Sequence, residues 1–146
     1  MPRFASLAAA GTVLTITLQP TGLSLRHVRI EAVDYAYRVP AVVPPGPTVF
    51  TFVNHGRVPH EVQLFRFNRD ISASEARKYL ATGDVPDSVA DPSGGVLIAP
   101  PGMATREGLY VDLQAGERYA LMCQFRDGAG KPSHASQGMF ALLEVR

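Results

Sequence analysis

The chain has 146 residues and a net charge of +1, from 14 basic and 13 acidic side chains, with 12 prolines, 13 glycines and a single cysteine. That length suits one domain with one core, and the proline and glycine content favours short strands and frequent turns over a helical bundle. The near-neutral balance excludes an electrostatic preference for nucleic acid or for an acidic surface.

The first stretch, Met1 to about Ser24, opens with Arg3 and continues as an uncharged run from Phe4 to Leu18. It reads as a secretory signal, with Gly22 and Ser24 as the small pair near cleavage, or as a retained N-terminal anchor. It is too short, and too rich in Ala, Gly and Thr, for a membrane span. A competing reading is an N-terminal strand, because Thr12 to Leu18 alternates Thr with Val, Leu and Ile. The expected organisation is residues 1–24 as leader or anchor and 25–146 as the working domain. Such a protein is exported to a periplasmic or extracellular space, and it meets a membrane only if the leader is retained.

Val28 to Ala32 alternates as a strand, and Tyr35 to Val39 follows it. The cluster Pro40 to Pro47 belongs on a sheet edge or in a connection, since proline cannot donate to a ladder. Thr48 to Asn54 reads as a strand, and Asn54–His55–Gly56 as a turn. Glu61 to Phe67 alternates polar and apolar, which turns Val62 and Leu64 toward a core, with Phe65 near it. His60, at the start of that strand, shares their side and points inward. Ser72–Ala73–Ser74–Glu75 is a capping-box pattern ahead of Ala76, Tyr79 and Leu80 at helical spacing, so one short helix is expected. Thr82 to Gly95 reads as loop and Val96 to Ala99 as a short buried run. Leu109 to Leu113 alternates again, Gln114 to Glu117 is a turn, and strands end at Cys123 and begin at Phe140. Seven or eight short strands with one inserted helix and no internal repeat give an all-β class, an antiparallel sandwich.

The chemistry concentrates between the last two strands. The polar, Gly- and Pro-punctuated loop from Cys123 to Met139 carries the only cysteine, His134 and Met139. Thiolate, imidazole and thioether together suit copper in a His2Cys plane with a weak, long axial Met, a set that needs a second histidine. His60 is the candidate. Taken singly these residues have plainer readings: a buried small cysteine, satisfied histidines, a core methionine. Their ordered combination at strand ends is what carries the metal reading. His55 reads as an exposed turn residue, and His27 has no partner in view. An unpaired cysteine in an exported protein itself calls for a use.

His60 after the turn Val53–Asn54–His55–Gly56, Cys123 closing Tyr119–Ala120–Leu121–Met122–Cys123, and His134 separated by four residues from Met139 resemble the type 1 copper site of the cupredoxins, the plastocyanin and azurin relatives. The resemblance spans about Val28 to Arg146, with residues 71–95 as an insertion between strands. It implies a Greek-key sandwich of eight strands, one copper ion held by His60, Cys123 and His134 with Met139 on the axis, and one-electron transfer with redox partner proteins. It also implies a solvent-facing His134 in an apolar patch, for which Ala135, Gly138, Pro132 and Met103 are candidates. Two departures stand out. Ten residues separate Cys123 from His134, closer to the long loop of copper nitrite reductases than to that of the small carriers. Glu61 stands where the family commonly has an Asn that ties two ligand loops together.

Rival classes are a copper oxidase or nitrite reductase, a metal-free cupredoxin-like binding module, and a periplasmic copper carrier. The enzyme reading lacks histidines for a second copper site, and no Gly-x-Ser-x-Gly, His-Glu-x-x-His or phosphate loop supports other catalysis. A non-enzymatic role is expected. The insertion is the expected place for partner specificity.

Overall fold

The computed structural model describes residues 24–68 and 70–146. The leader or anchor expected over 1–24, and the alternative strand within it, lie outside the described residues apart from Ser24. Among these residues nine strands and one α-helix follow in order: β1 (Arg26–Val33), β2 (Ala36–Arg38), β3 (Val42–Val43), β4 (Gly46–Asn54), β5 (His60–Phe67), α1 (Ala73–Thr82), β6 (Ala90–Ala99), β7 (Leu109–Leu113), β8 (Arg118–Met122) and β9 (Phe140–Val145), with a 3-10 turn at Ala135–Gln137 before β9. They form two sheets, β2-β1-β4-β7 and β3-β9-β8-β5-β6. The expected sandwich is present, but both sheets are mixed. β1 runs parallel to β4 with Val28 beside Phe50 and Ile30 beside Phe52, and β3 runs parallel to β9. Local alternation carries no information about a partner's direction, so a purely antiparallel expectation fails here.

Between the sheets, Ile30, Phe50, Phe52, Val62, Leu64, Leu121 and Leu143 form the main core. A second cluster covers the outer face of the five-stranded sheet, where Phe65, Phe67, Ala120, Met122 and Leu142 meet Ala76 and Leu80 of α1. The central strands β5 and β8 are therefore buried on both faces, which is why β8 reads as an almost unbroken apolar run. Helix α1 begins as expected, with the Ser72 hydroxyl accepting from the Glu75 N–H at 3.1 Å. It ends at Gly83, whose φ of 73° suits glycine. A Cβ there would lie 2.1 Å from Ser133 Oγ. The inserted helix is thus packed against the residue that precedes His134.

Two expectations are corrected. The stretch 82–95 is not all loop, because β6 starts at Ala90. Its Pro92 lies in an edge strand, where a missing N–H is harmless, and Gly94 and Gly95 (φ 89° and 133°) accompany a shift of register opposite Gln63 and Phe65. The run Val96 to Ala99 is only half buried: Leu97 and Ala99 face in, whereas Val96 and Ile98 are 45% and 54% exposed on that edge.

Candidate metal centre

Strand register brings the chemistry to one end of the sandwich. β8 pairs with β5 through Leu64 and Leu121, and with β9 through Met122 and Phe140. The start of β5, the residue after β8 and the residue before β9 are therefore neighbours: His60, Cys123 and Met139. The loop that carries His134 is laced to them by its backbone. Ala135 N–H donates to the Cys123 carbonyl at 2.8 Å, His134 N–H to the Phe125 carbonyl at 2.8 Å, and Met139 N–H to the His134 carbonyl at 2.9 Å. Arg126 and Ser133 form a bridge, with Gly128 and Gly130 at positive φ beyond it. The ten-residue loop thus folds on itself, and its length projects outward as a tip while Cys123 and His134 stay together.

The three donor atoms form a small triangle. His60 Nδ1 and His134 Nδ1 are 3.1 Å apart, and Cys123 Sγ lies 3.3 Å from His134 Nδ1 and 4.0 Å from His60 Nδ1. The point in their plane equidistant from all three lies about 2.1 Å from each, against bonds of about 2.0–2.1 Å to nitrogen and about 2.3 Å to thiolate for zinc, a first-row ion of similar size. Cys123 and His60 are fully buried and His134 is 1% exposed.

The opposite edge of each imidazole sets its tautomer. His60 Nε2 is 2.9 Å from Asp34 Oδ1, and His134 Nε2 is 3.0 Å from Asp127 Oδ1. An ionised carboxylate only accepts, so each Nε2 carries a proton, and in the neutral ring each Nδ1 is then the acceptor that faces the other. The Cys123 thiol has one proton to offer between them. Two acceptor nitrogens at 3.1 Å beside one sulfur call for a cation, which is the test that a metal site has to meet.

Further groups fix this arrangement. Asp34 accepts from the Arg57 N–H at 3.0 Å and the Arg57 Nε at 3.3 Å. Burial pushes its carboxyl up, but the bonds from His60 and Arg57 outweigh this and leave it below its usual value. The Tyr35 hydroxyl donates to Asp127 Oδ2 at 2.5 Å; that bond, then the one from His134, holds the Asp127 carboxyl low. Burial lowers His60, keeping it neutral as a ligand must be. Burial also drives the free Cys123 thiol up to about 11, so a bound cation has to supply the field that removes its proton.

Glu61 performs the tie expected of an Asn at its position. Its Oε1 accepts from the Gln124 N–H at 2.7 Å, its own N–H points at Cys123 Sγ at 3.5 Å, and its carbonyl accepts from the Tyr37 hydroxyl. The Asn54 turn reaches both flanks of the site, donating from Nδ2 to Val58 O at 2.9 Å and to Ala99 O at 3.0 Å.

Solved structures with the same architecture include an auracyanin from the photosynthetic bacterium Roseiflexus castenholzii (18% identity, 86% of this chain and 99% of that one, TM-score 0.54). Rusticyanin from Thiobacillus ferrooxidans matches at 20% identity over 84% of this chain and 77% of that one, TM-score 0.53. The fold is that of the cupredoxins. Auracyanin A from Chloroflexus aurantiacus, described as a "blue" copper protein, has the same cupredoxin fold at 14% identity, covering 84% of this chain and all of that one, TM-score 0.51. No protein-family model and no curated protein matches the sequence. At such identities the likeness establishes the cupredoxin fold, and the chemistry rests on this chain's own donor atoms.

Of the residues singled out in the sequence, His60, Cys123 and His134 come together within 4.8 Å. Met139 is fully buried in the same core cluster as Cys123. His55 and His27 are exposed. One implication of the resemblance is corrected: His134 does not face solvent, because Tyr35 covers it edge-on at 4.8 Å between ring centroids and Asp127 occupies its Nε2. Ala135, expected in an exposed patch, is buried, whereas Pro132, Gly138 and Met103 are exposed. Sequence reading missed Asp34, Tyr35 and Asp127. The first two occupy the β1–β2 turn and the third the tip of the ligand loop, and no periodicity links them. The one available signal, Asp127–Gly128, reads equally as turn chemistry.

Proposed function

We propose that this chain is a one-electron carrier built on a type 1 copper centre, which His60 Nδ1, Cys123 Sγ, His134 Nδ1 and Met139 would hold. The observation that carries the reading is the pair of buried imidazoles turned Nδ1 to Nδ1 over a thiol by two carboxylates. Copper held there supplies a one-electron couple in a set of borderline and soft ligands. The chain's own residues do the rest. β5, β8 and β9 fix three donor positions before any ion arrives, so little has to move between oxidation states. Glu61 ties the His60 and Cys123 segments, and Tyr35 with Asp127 shuts water away from the His134 ring. Partners are redox proteins that dock near this cover, since the loop histidine has no exposed edge. Export fits an unpaired cysteine reserved for a metal.

The test is a copper(II) titration of the purified protein followed by visible absorption, beside Cys123→Ser. The expected result is an intense thiolate-to-copper band saturating at one equivalent, bleached by reductant, restored by oxidant and absent from the variant. Weak binding with no such band and no dependence on Cys123 would leave a metal-free binding module as the better account.

A further inference from the structure

We propose that Asp34 and Asp127 are positioning residues that act through the two imidazoles to bias the metal centre toward its oxidised state. This rests on the copper reading of the site and concerns what sets its potential. Both ligand histidines are buried, and each has its remote nitrogen on a carboxylate rather than on water: Asp34 Oδ1 at 2.9 Å from His60 Nε2 and Asp127 Oδ1 at 3.0 Å from His134 Nε2.

Two effects follow, and they have the same sign. An N–H that donates to a carboxylate makes the opposite nitrogen a stronger base, and a stronger donor favours the ion of higher charge. Each carboxylate also adds a fixed negative charge one imidazole away from the metal, which stabilises copper(II) more than copper(I); the Asp34 side chain is 16% exposed, and that of Asp127, 34% exposed, is the more screened by water. Neither carboxylate is loose. Asp34 is clamped by the Arg57 N–H at 3.0 Å, and Asp127 by the Tyr35 hydroxyl at 2.5 Å. The Tyr35 bond is neutral and leaves the charge of Asp127 in place, and among the described residues no Lys or Arg makes an ion pair with Asp127. Arg57, whose side chain is 94% exposed, partly offsets Asp34. Its exposure and salt screening keep that offset small.

Asparagine is the discriminating substitution, because its Oδ1 still accepts from Nε2 while the charge is gone. The experiment measures midpoint potentials of the copper-loaded full chain for the parent, Asp34→Asn, Asp127→Asn and Asp127→Glu. In parallel, long-range proton–nitrogen correlation spectra of the metal-free proteins report which ring nitrogen is protonated. Each Asn variant is expected to shift the copper(I) to copper(II) preference about tenfold, a rise of 59 mV for a one-electron couple. Asp127→Glu should fall between the parent and Asp127→Asn. Metal-free parent and Asn variants should all show His60 and His134 protonated at Nε2. Potentials that stay put or fall in the Asn variants while the thiolate band is intact would overturn the proposal alone, as would Nδ1 protonation in the metal-free parent. A parent lacking the thiolate band would instead sink the copper reading, and the redox proposal with it.

Discussion

Gly56 lies against the Asp34–His60 hydrogen bond of the proposed centre, and replacing it by alanine is a clean perturbation. Its backbone is not in the left-handed region, so alanine can adopt the local conformation, and the effect is steric. A Cβ at this position would lie 2.2 Å from Asp34 Oδ1, 2.9 Å from His60 Nε2 and 3.0 Å from Asn54 Oδ1, where ordinary contact begins at 3.4 Å. The Asp34 carboxylate has to retreat by about 1.2 Å, which breaks or badly stretches its 2.9 Å bond to His60. Losing a bond to a charged group costs about 1.5–3 kcal/mol, discounted here because Asp34 is partly exposed, and the stiffer unfolded chain returns about 0.4–1 kcal/mol. The metal-free protein should lose about 1 kcal/mol and melt about 4 °C lower. Metal affinity should fall about 10- to 100-fold, the usual penalty for disturbing the partner of a ligating histidine. Competition against a chelator of known copper affinity reads the second quantity and thermal melting the first. Unchanged affinity in Gly56→Ala would show that the Asp34–His60 bond does not orient the ligand.

Other outcomes follow from the same network. Glu61→Ala orphans the Gln124 N–H and should cost about 1–3 kcal/mol with a broadened thiolate band, whereas Glu61→Gln, which keeps a carbonyl acceptor, should fall between it and the parent; denaturant melts and spectra decide. Because the free Cys123 thiol sits at about 11, binding near neutral pH must release its proton. Apparent copper affinity should therefore rise about tenfold per pH unit from neutral pH toward about 11 and level off above it, and Cys123→Ser should flatten the slope in a chelator competition series. Tyr35→Ala uncovers the His134 ring and should speed copper loss to an external chelator by about tenfold or more; an unchanged rate would mean that Tyr35 does not close the site. Leu80→Ala removes packing beneath the ligand loop and should cost about 2–5 kcal/mol; a change in the band along with the melt would show that the inserted helix braces the centre.

The packing of α1 adds a structural role to residues 71–95, the expected place for partner specificity. Gly83 abuts Ser133, and Leu80 packs in the same cluster as Ala135, so part of the insertion is structural support for the loop that carries His134. Deleting exposed parts of the segment and following electron-transfer rates tests its role toward partners.

The parts of the structure legible in the sequence were those with local causes. The inward parity of His60, Val62 and Leu64, the Ser72 cap, the end of β8 one residue before Cys123 and the start of β9 at Phe140 each follow from alternation or capping within a few residues. The coming together of His60, Cys123 and His134 was legible because their donor chemistry implies a shared ion, which compensates for missing distance information. What lay beyond the sequence was set by contacts remote along the chain. β1 pairs parallel with β4, and Pro92 is tolerated because β6 is an edge. Asp34 and Asp127 reach the two histidines only after the β1–β2 turn and the ligand loop meet. Glu61 looks like a departure in the sequence because residue type alone does not reveal that its carboxylate spans to the Gln124 N–H.

One copper ion is expected among His60, Cys123 and His134. X-ray absorption at the copper edge of the singly loaded protein tests it most directly. The account predicts one short copper–sulfur distance and two imidazole nitrogens, with the sulfur shell lost in Cys123→Ser. A shell of oxygen and nitrogen alone, identical in the two proteins, would contradict it.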